Sequence, residues 1–385
     1  MDTATRKDVL LMAFPPMAQR MAGIGRFAKG AGWNLLAGYM LFDGLRGWRG
    51  DGPLVTLRSD PNVESLVRRL RRRGIPVVDM TAEHPEMPIP RVCTDNRAIG
   101  RLAASHFAER NYRHTAYFTS HWSKIQSGRY EGFAEGLATA GIVEPPARWV
   151  LEEGPALRAR NDSGAVSRWF AGLLERSPKP LAVFCNETKD AARVLAECRA
   201  CGIAVPEDVA ILGVGDDSVL CENQSVPLSC ILQNGERLGY ESAALLARLM
   251  DGKEAPASPV FVPPKGVAVR ASTECTASSD PLVARALALV SSNVSRPWGV
   301  RQLAAEVGVS PASLNRRFVA ELGHPPSVEI TRQRLHKAKN LLLDTDMTLA
   351  EVAERCGICN AFYLSSLIRR HTGLPPKEWR KRAKT

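Results

Sequence analysis

The chain has 385 residues, of which 45% are apolar and 24% are charged, the composition of a soluble globular protein. This length exceeds what one ordinary hydrophobic core organises, so two or three domains are expected. No apolar run approaches the roughly 18 residues of a membrane span. The polar N-terminus and the short apolar stretch at residues 9–14 do not resemble a signal peptide, so the cytoplasm is the expected location and no membrane partner is expected.

Nine cysteines are scattered along the chain, an odd number that suits reduced thiols better than a disulfide framework. Two Cys-x-x-Cys pairs occur, Cys198 with Cys201 and Cys356 with Cys359. Structural zinc takes four ligands, and neither pair has a histidine or a second pair at finger-like spacing. No metal site and no cofactor are therefore expected.

The first 280 residues alternate short apolar runs with amphipathic stretches, the pattern of an α/β fold with parallel sheets. The candidate strands are residues 9–14, 54–57, 76–80, 115–118, 182–185 and 209–214. The candidate helices are residues 63–73, 99–109, 129–140 and 191–201. The chain has no P-loop, GxSxG elbow or HExxH motif, so we expect no catalytic residue and no enzyme.

Short polar motifs follow these elements in a definite order. They are Asp95-Asn96, Arg129 with Gly132-Phe133, Asn186-Glu187, and the run VPEDVAILG at residues 205–213. In this order they resemble the LacI/GalR family, whose sensors have the periplasmic-binding-protein fold. The resemblance implies a sensor over residues 1–270 with lobes at about 1–118 and 119–270, the chain crossing near residue 119 and near residues 226–232.

The same resemblance implies a ligand site between the lobes. Asp95, Arg129 and Asn186 match positions that contact ligand in such sensors, and these groups suit the paired hydrogen bonds that adjacent sugar hydroxyls form. Asp95 could instead cap a helix, and Arg129 could form a surface salt bridge. Binding groups concentrate at strand ends in such folds, which favours ligand contact.

Two positions depart from the sensors that the chain resembles. Relatives usually carry an aspartate where this chain has Gly215, and Glu187 stands where aspartate is common. Either Asp216 supplies the missing carboxylate after a small loop shift, or the ligand is not a simple pentose.

Residues 271–281 are rich in small polar side chains and are expected to form a flexible linker. Beyond it the charge changes. Residues 281–385 carry 17 Lys and Arg against 8 Asp and Glu, whereas the other 280 residues carry 34 against 32. Phosphate neutralisation supplies most sequence-independent affinity for nucleic acids, so this asymmetry indicates DNA binding.

The basic region repeats itself after about 50 residues. Residues 303–310 read LAAEVGVS and residues 352–359 read VAERCGIC, and each copy closes with Gly-x-Pro-Pro, at residues 323–326 and 373–376. A small alanine, a helix-ending glycine and a residue that can begin a new helix are what a helix-turn-helix requires. The stretch between the copies, residues 326–343, has the periodicity of one long helix.

These motifs resemble the DNA-binding domain of the AraC/XylS family, which implies an all-α domain over residues 282–385 with two recognition helices in successive major-groove segments. Carried over by position, the candidate DNA-binding residues are Ala312, Asn315, Arg316 and Arg317 in the first helix, and Ala361, Phe362, Ser365, Ser366, Arg369 and Arg370 in the second. Asparagine can read adenine and arginine can read guanine. Ser366 stands where many relatives carry arginine, so the second helix is expected to rely on apolar thymine contacts or on the backbone.

The two resemblances together imply a transcription regulator that binds double-stranded operator DNA under control of a small sugar such as D-xylose. A homodimer is expected, with RNA polymerase as a further partner of an activator. Activation is what the AraC/XylS resemblance implies, but repression and a non-sugar ligand remain open. An enzyme fused to a DNA-binding domain, or a secreted solute-binding protein, has no supporting motif.

Overall fold

The computed structural model describes residues 6–12, 17–37, 48–57, 61–154, 163–215 and 217–383. Their strands form two main sheets, and the last hundred residues are helical. None of the helices within these ranges combines the length and the apolar character that crossing a bilayer requires.

The first lobe is built on four parallel strands in the order β2-β1-β3-β4. A further parallel pair joins β5 to β11. The elements of this lobe are β1 (Asp8–Met12), α1 (Ala18–Ala31), β2 (Asn34–Ala37), β3 (Gly52–Val55), α2 (Pro61–Arg72), β4 (Val78–Asp79), β5 (Val92–Thr94), α8 (Gly235–Met250) and β11 (Val260–Val262).

The second lobe is a six-stranded sheet in the order β12-β10-β9-β8-β6-β7, parallel except for β12. Its central strands β8 and β9 are buried throughout, as strands covered by helices on both faces must be. The elements are α3 (Asn96–Ala108), β6 (His114–Thr119), α4 (Lys124–Thr139), β7 (Ala147–Val150), α5 (Ser163–Arg176), β8 (Leu181–Cys185), α6 (Thr188–Ala200), β9 (Val209–Val214), α7 (Ser218–Glu222), β10 (Ser229–Leu232) and β12 (Gly266–Ala268).

The boundary between the lobes does not lie at residues 118 and 119, where the sequence predicted it. Phe107 of α3 shares one core with Phe133 of α4 and Phe184 of β8, so α3 and β6 belong to the second lobe. The chain therefore crosses between the lobes after β5, between β10 and α8, and between β11 and β12. Apolar periodicity predicts strands and helices but carries no information about which sheet they join.

The C-terminal domain contains two three-helix units joined by one long helix, α12 (Pro326–Asp344), as predicted. Each unit has its own apolar core. Gly308 ends α10 with φ 80°, and Ser310 caps α11 through a hydrogen bond from Ser313 N. The other helices are α9 (Pro281–Ser292), α10 (Val300–Val307), α11 (Pro311–Leu322), α13 (Leu349–Arg355), α14 (Ala361–Thr372) and α15 (Pro376–Ala383).

The expected flexible linker at residues 271–281 is instead hydrogen-bonded to the second lobe, with Ser272, Thr273, Thr276 and Ala277 buried. Ser272 Oγ donates to Ile211 O at 2.6 Å, and Ala277 N donates to Arg110 O at 2.8 Å. We call residues 270–280 the strap. Small hydroxylated residues suit a flexible linker, but they equally suit a close-packed segment whose hydroxyls bond to buried carbonyls. Only the packing distinguishes the two.

Candidate functional site

Arg129 lies at the centre of a buried polar cluster in the second lobe, with 5% of its surface exposed. Its Nε donates to Asn96 Oδ1 at 3.0 Å, and its Nη1 donates to Asn186 Oδ1 at 2.9 Å and also to the Asn186 carbonyl. Burial lowers the pKa of this guanidinium, while Tyr117, Glu187 and Asp190 act in the opposite direction. Arg129 is therefore a fixed, buried cation rather than a surface salt bridge.

Close packing of α3 on α4 determines where Arg129 sits. A Cβ on Gly100 of α3 would lie 2.1 Å from the Arg129 carbonyl oxygen, and a Cβ on Gly132 of α4 would lie 2.2 Å from the Arg97 carbonyl oxygen. Only glycine at both positions lets the two backbones approach this closely. The contact brings Asn96, in the first turn of α3, within reach of the guanidinium.

Asn186 follows β8 directly and has 1% of its surface exposed. Its Oδ1 accepts a second hydrogen bond, at 3.0 Å, from the hydroxyl of Tyr117 on β6. Burial raises the pKa of Tyr117 above its ordinary value, so the phenol stays protonated and donates. These bonds hold Asn186 in one orientation at the carboxyl ends of neighbouring parallel strands, where ligands bind in α/β folds.

Two carboxylates stand beside this cluster. Ser120 Oγ donates to Asp190 Oδ1 at 2.6 Å, and burial raises the pKa of Asp190. Burial opposes ionisation of Glu187 as well, but the hydrogen bond and charge of Lys189 and the charge of Arg129 lower its pKa overall. The cluster thus offers cationic donors and anionic acceptors close together.

The sequence reasoning missed Tyr117, Ser120 and Asp190 as members of the cluster. Their position along the chain could have identified them. They lie in or just after β6 and in the first turn of α6, at the strand ends where Asn186 also lies.

Asp95 caps α3, accepting from Ala98 N at 2.8 Å, while its own N–H donates to Val262 O at 2.9 Å. The helix-cap alternative is what the structure shows for this carboxylate, at the point where the chain passes between lobes. The neighbouring Asn96, and not Asp95, contacts Arg129.

Asp216 lies outside the described residues. Gly215, where the resemblance implies an aspartate, has φ 130°, a conformation that L side chains rarely adopt. An added Cβ would also lie 3.1 Å from Thr188 Oγ1. The backbone conformation therefore favours glycine, and a carboxylate at this position would be strained.

A hydrogen bond joins the two lobes near the cluster. Ser123, which caps α4, donates from Oγ to Glu83 Oε1 of the first lobe at 3.0 Å. Glu83 also interacts electrostatically with Arg129. It is thus a first-lobe carboxylate within range of the Arg129 cluster, and sequence reasoning did not select it.

The first helix-turn-helix unit exposes the expected face of α11. Leu314 and Phe318 are buried in the unit's core, whereas Ala312, Asn315 and Arg316 are exposed. Arg317 is exposed too, but it forms an ion pair with Asp280, the N-cap residue of α9, at 2.6 Å. Arg317 therefore lies on the side of α11 that faces α9.

The second unit presents α14. Its core side chains are Leu364, Leu367 and Ile368, and Phe362 stands out with 88% of its surface exposed. Ala361 and Ser365 are half-buried, whereas Ser366, Arg369 and Arg370 are exposed. An exposed aromatic ring in the first turn of a recognition helix suits an apolar contact with a base edge.

The two-lobed α/β region and the C-terminal helical domain are joined through a buried carboxylate on α12. Glu329, 1% exposed, accepts from Thr276 Oγ1 of the strap at 2.7 Å and from Arg332 Nε at 2.9 Å. Arg332 also donates to the carbonyl of Glu109 in the second lobe at 3.1 Å. This network fastens the long helix to the sensor.

The strap continues the connection into the sheet of the second lobe. Thr273 Oγ1 lies 2.9 Å from His106 Nε2 and 2.7 Å from Ser229 Oγ on β10. Asn111 donates to Ala277 O at 3.0 Å. Polar contacts of the strap therefore reach β10 through Thr273 and α12 through Thr276. Among the residues that the structure describes, no group of His, Cys, Asp and Glu side chains could hold a metal ion.

Comparison with known proteins matches both domains. Residues 104–273 match the model of the periplasmic binding protein-like domain, and residues 303–382 match that of a helix-turn-helix domain of the AraC type. The chain is 26% identical over 342 residues to the xylose operon regulatory protein of Escherichia coli strain K12, covering 88% of this chain and 86% of that protein.

Solved structures agree. The structure of the xylose-binding transcription activator xylR aligns with a TM-score of 0.62 and 25% identity over 98% of both chains. The complex of the transcriptional regulator CelR with cellobiose aligns with a TM-score of 0.54 and 24% identity, covering 69% of this chain and 85% of that one, a likeness of fold. The expected order of an α/β two-lobed sensor and two helix-turn-helix units is confirmed.

Proposed function

We propose that this chain, a DNA-binding transcription regulator with a periplasmic-binding-protein-like sensor, is controlled by a small sugar bound between its lobes. The observation that carries the proposal is the buried Arg129 held by Asn96 and Asn186 beside two carboxylates. Sugars are neutral and rich in hydroxyls, and such mixed donors and acceptors bind them. The relatives named for xylose make D-xylose the first candidate.

In this proposal Arg129 and Asn186 donate to ligand hydroxyls, and Asp190 accepts from one. Asn96, which accepts from Arg129, belongs to the second-lobe side of the site, and Asp95 and Asp216 are further candidate ligand contacts. Glu83 closes onto the ligand from the first lobe. The Ser123–Glu83 hydrogen bond indicates how the lobes meet when they approach each other.

The signal would reach DNA through the strap. Ligand favours one arrangement of the lobes, and the strap joins the sheet of the second lobe to α12, so that arrangement also selects a position of the DNA-binding domain. A large response requires that the ligand bind the DNA-binding-competent arrangement far more tightly than the alternative arrangement. The chain acts in the cytoplasm as a homodimer, activating genes by engaging RNA polymerase.

Bases are read, in this proposal, mainly by Asn315 and Arg316 of α11. The remaining candidate side chains of α11 and α14 contact the backbone or apolar base edges: Ala312, Arg317, Ala361, Phe362, Ser365, Ser366, Arg369 and Arg370. A net excess of basic residues in this domain supplies the phosphate attraction.

The test is a thermal-shift and calorimetric titration of the full chain with D-xylose, other pentoses, hexoses, sugar acids and polyols. A bound ligand at 100 times its Kd should stabilise the protein by about 2.7 kcal/mol. Arg129→Ala should abolish this shift while the unliganded variant still binds operator DNA, and Arg129→Lys should restore part of it. The matched control, Arg101→Ala on the exposed face of α3, should behave as the wild type.

An unchanged ligand affinity in Arg129→Ala would contradict the proposed cleft. A shift with a non-sugar compound that depends on Arg129 would keep the site and change its ligand. Repression, the alternative output, would appear as lower expression from the operator when the protein is present.

A further inference from the structure

A cavity of about 380 Å³ lies between the second lobe and the DNA-binding domain. Arg110, which follows α3, and Glu274 of the strap line it from the sensor's side. Arg332, Gln333 and Lys337 line it from α12. No residue of the Arg129 cluster lines this cavity. Its volume lies within the range of small-ligand pockets, about 300–1,000 Å³.

The described walls of this cavity are positively charged. Arg332 is neutralised by Glu329, but Arg110 donates to the backbone carbonyls of Thr273 at 2.9 Å and His106 at 3.0 Å, which carry no charge. Burial and the nearby charge of Arg332 lower the pKa of Arg110 to about 10, so it stays cationic at pH 7. With Lys337, it outweighs Glu274, the one carboxylate among the described lining residues.

Besides these charges, the cavity is lined by a buried side chain with an unpaired acceptor, Gln333. Only 9% of its surface is exposed, and its Nε2 donates to Glu329 Oε1 at 3.2 Å, which fixes the orientation of the amide. Its Oε1 is buried and has no hydrogen-bond partner. Gln333 also lines the cavity, and an unmet buried acceptor is costly, so this group favours a ligand that can donate a hydrogen bond.

We infer that this cavity binds a small hydroxylated organic anion, such as a sugar acid or a sugar phosphate. Its carboxylate or phosphate lies against Arg110 and Lys337, and a hydroxyl donates to Gln333 Oε1. Ionised acceptors form the stronger hydrogen bonds with cationic donors, which favours an anion over a neutral polyol here.

A ligand at this position contacts both domains at once. Arg110 and Glu274 move with the sensor, and Gln333 and Lys337 move with α12. Binding therefore stabilises the docked arrangement in which Thr276 bonds to Glu329. The regulator would then read a second, charged signal besides the neutral sugar proposed for the cleft.

The experiment is isothermal titration calorimetry of the full chain without DNA, at constant ionic strength. The probes are gluconate, glucose 6-phosphate, inorganic phosphate and uncharged glucose. We expect saturable binding of gluconate or glucose 6-phosphate, and the tighter of the two identifies the acid group. Lys337→Gln and Gln333→Leu should each weaken it at least tenfold. The matched control Lys253→Gln removes the same charge from an exposed position and should leave it unchanged.

Arg129→Ala separates this site from the cleft, because it should abolish sugar binding there and leave anion binding intact. Hydrogen exchange should slow at residues 273–276 and 329–337 when the anion binds. No binding of either organic anion at millimolar concentration would overturn the inference. The inference would also be overturned if Lys253→Gln lost as much anion affinity as Lys337→Gln, or if Arg129→Ala lost anion affinity. It would be overturned as well if inorganic phosphate or glucose bound as tightly as the organic anions.

Discussion

Thr276 of the strap donates a 2.7 Å hydrogen bond to Glu329 of α12, and that carboxylate is almost completely buried between the sensor and the DNA-binding domain. Arg332 and Gln333 donate to the same group. A buried carboxylate with these partners holds the two domains in one arrangement, because an unpaired charge there would be costly.

Glu329→Gln should therefore loosen the docking and destabilise the chain by about 1–2 kcal/mol at pH 7. Removing one partner of a fully buried ion pair costs about 3–5 kcal/mol. The expected loss of stability is smaller here because Arg332, the partner of Glu329, is about one-third exposed. Urea unfolding measures the change. The control, Glu306→Gln, removes a carboxylate from an exposed ion pair with Arg296 and should cost less than about 0.5 kcal/mol.

The same carboxylate should make docking depend on pH. Burial opposes its ionisation, but the charge of Arg332 and the hydrogen bonds from Arg332, Thr276 and Gln333 lower its pKa below the ordinary 4.5. A lowered folded-state pKa adds stability that is complete above 4.5 and is lost as the pH falls through the folded-state value. The stability difference between wild type and Glu329→Gln should thus shrink as the pH falls below about 4.5. A difference that grows in acid would refute this assignment.

Gly100→Ala should destabilise the second lobe by about 3 kcal/mol, at the upper end of the cost of overpacking. The new Cβ would meet the backbone of α4, which cannot rotate away as a side chain could. Gly25→Ala is the control, since nothing lies within 4 Å of a Cβ at that helical position, and it should stabilise by about 0.5–1 kcal/mol. Denaturant midpoints that do not separate the two variants would disprove the close α3–α4 contact.

Arg316→Ala should lower affinity for a selected operator by about 1–3 kcal/mol and affinity for random DNA much less. Arg316 is exposed on the face of α11 opposite its core. Fluorescence anisotropy with both DNAs at fixed salt measures the difference. Arg317→Ala provides the comparison, because Arg317 is held by Asp280 and should contribute little to discrimination. Equal losses on both DNAs would make Arg316 a phosphate contact.

Phe362→Ala should leave stability within about 0.5 kcal/mol of wild type, since the ring is exposed and contributes little to the core. Operator affinity should nevertheless fall, by about fivefold or roughly 1 kcal/mol, if the ring contacts a thymine methyl group. Replacing each thymine of the half-site by uracil in wild-type binding assays should reproduce the loss at one position. Unchanged affinity would place α14 away from base edges.

Much of the helical domain could be predicted because its signals are local. Gly308 ends α10 and Ser310 begins α11 through contacts within four residues along the chain, so spacing alone locates the turn. The long helix α12 follows from its periodicity in the same way. The exposed face of α11 follows from the burial of Leu314 and Phe318.

The sensor site could be predicted only in part. Arg129 and Asn186 were selected from the sequence and meet in space, but Asp95 caps a helix and its neighbour Asn96 makes the contact instead. Tyr117 and Asp190 were missed because ordinary buried strands and helices also carry such residues. Their role depends on which strand ends lie side by side.

By itself the sequence determined several strands and helices of the first region, the order of the two domains and the basic, repeated character of the second, because periodicity, caps and charge act between near neighbours. Tertiary structure alone decided that α3 joins the second lobe, that the strap is hydrogen-bonded to the second lobe and to α12, and that Glu329 lies between domains. Each of these depends on contacts between residues far apart in the chain, such as Phe107 with Phe184 and Thr276 with Glu329. Small polar residues and helical glycines have the same local preferences whether they end up in solvent or in a domain interface, so only the packed chain shows which it is.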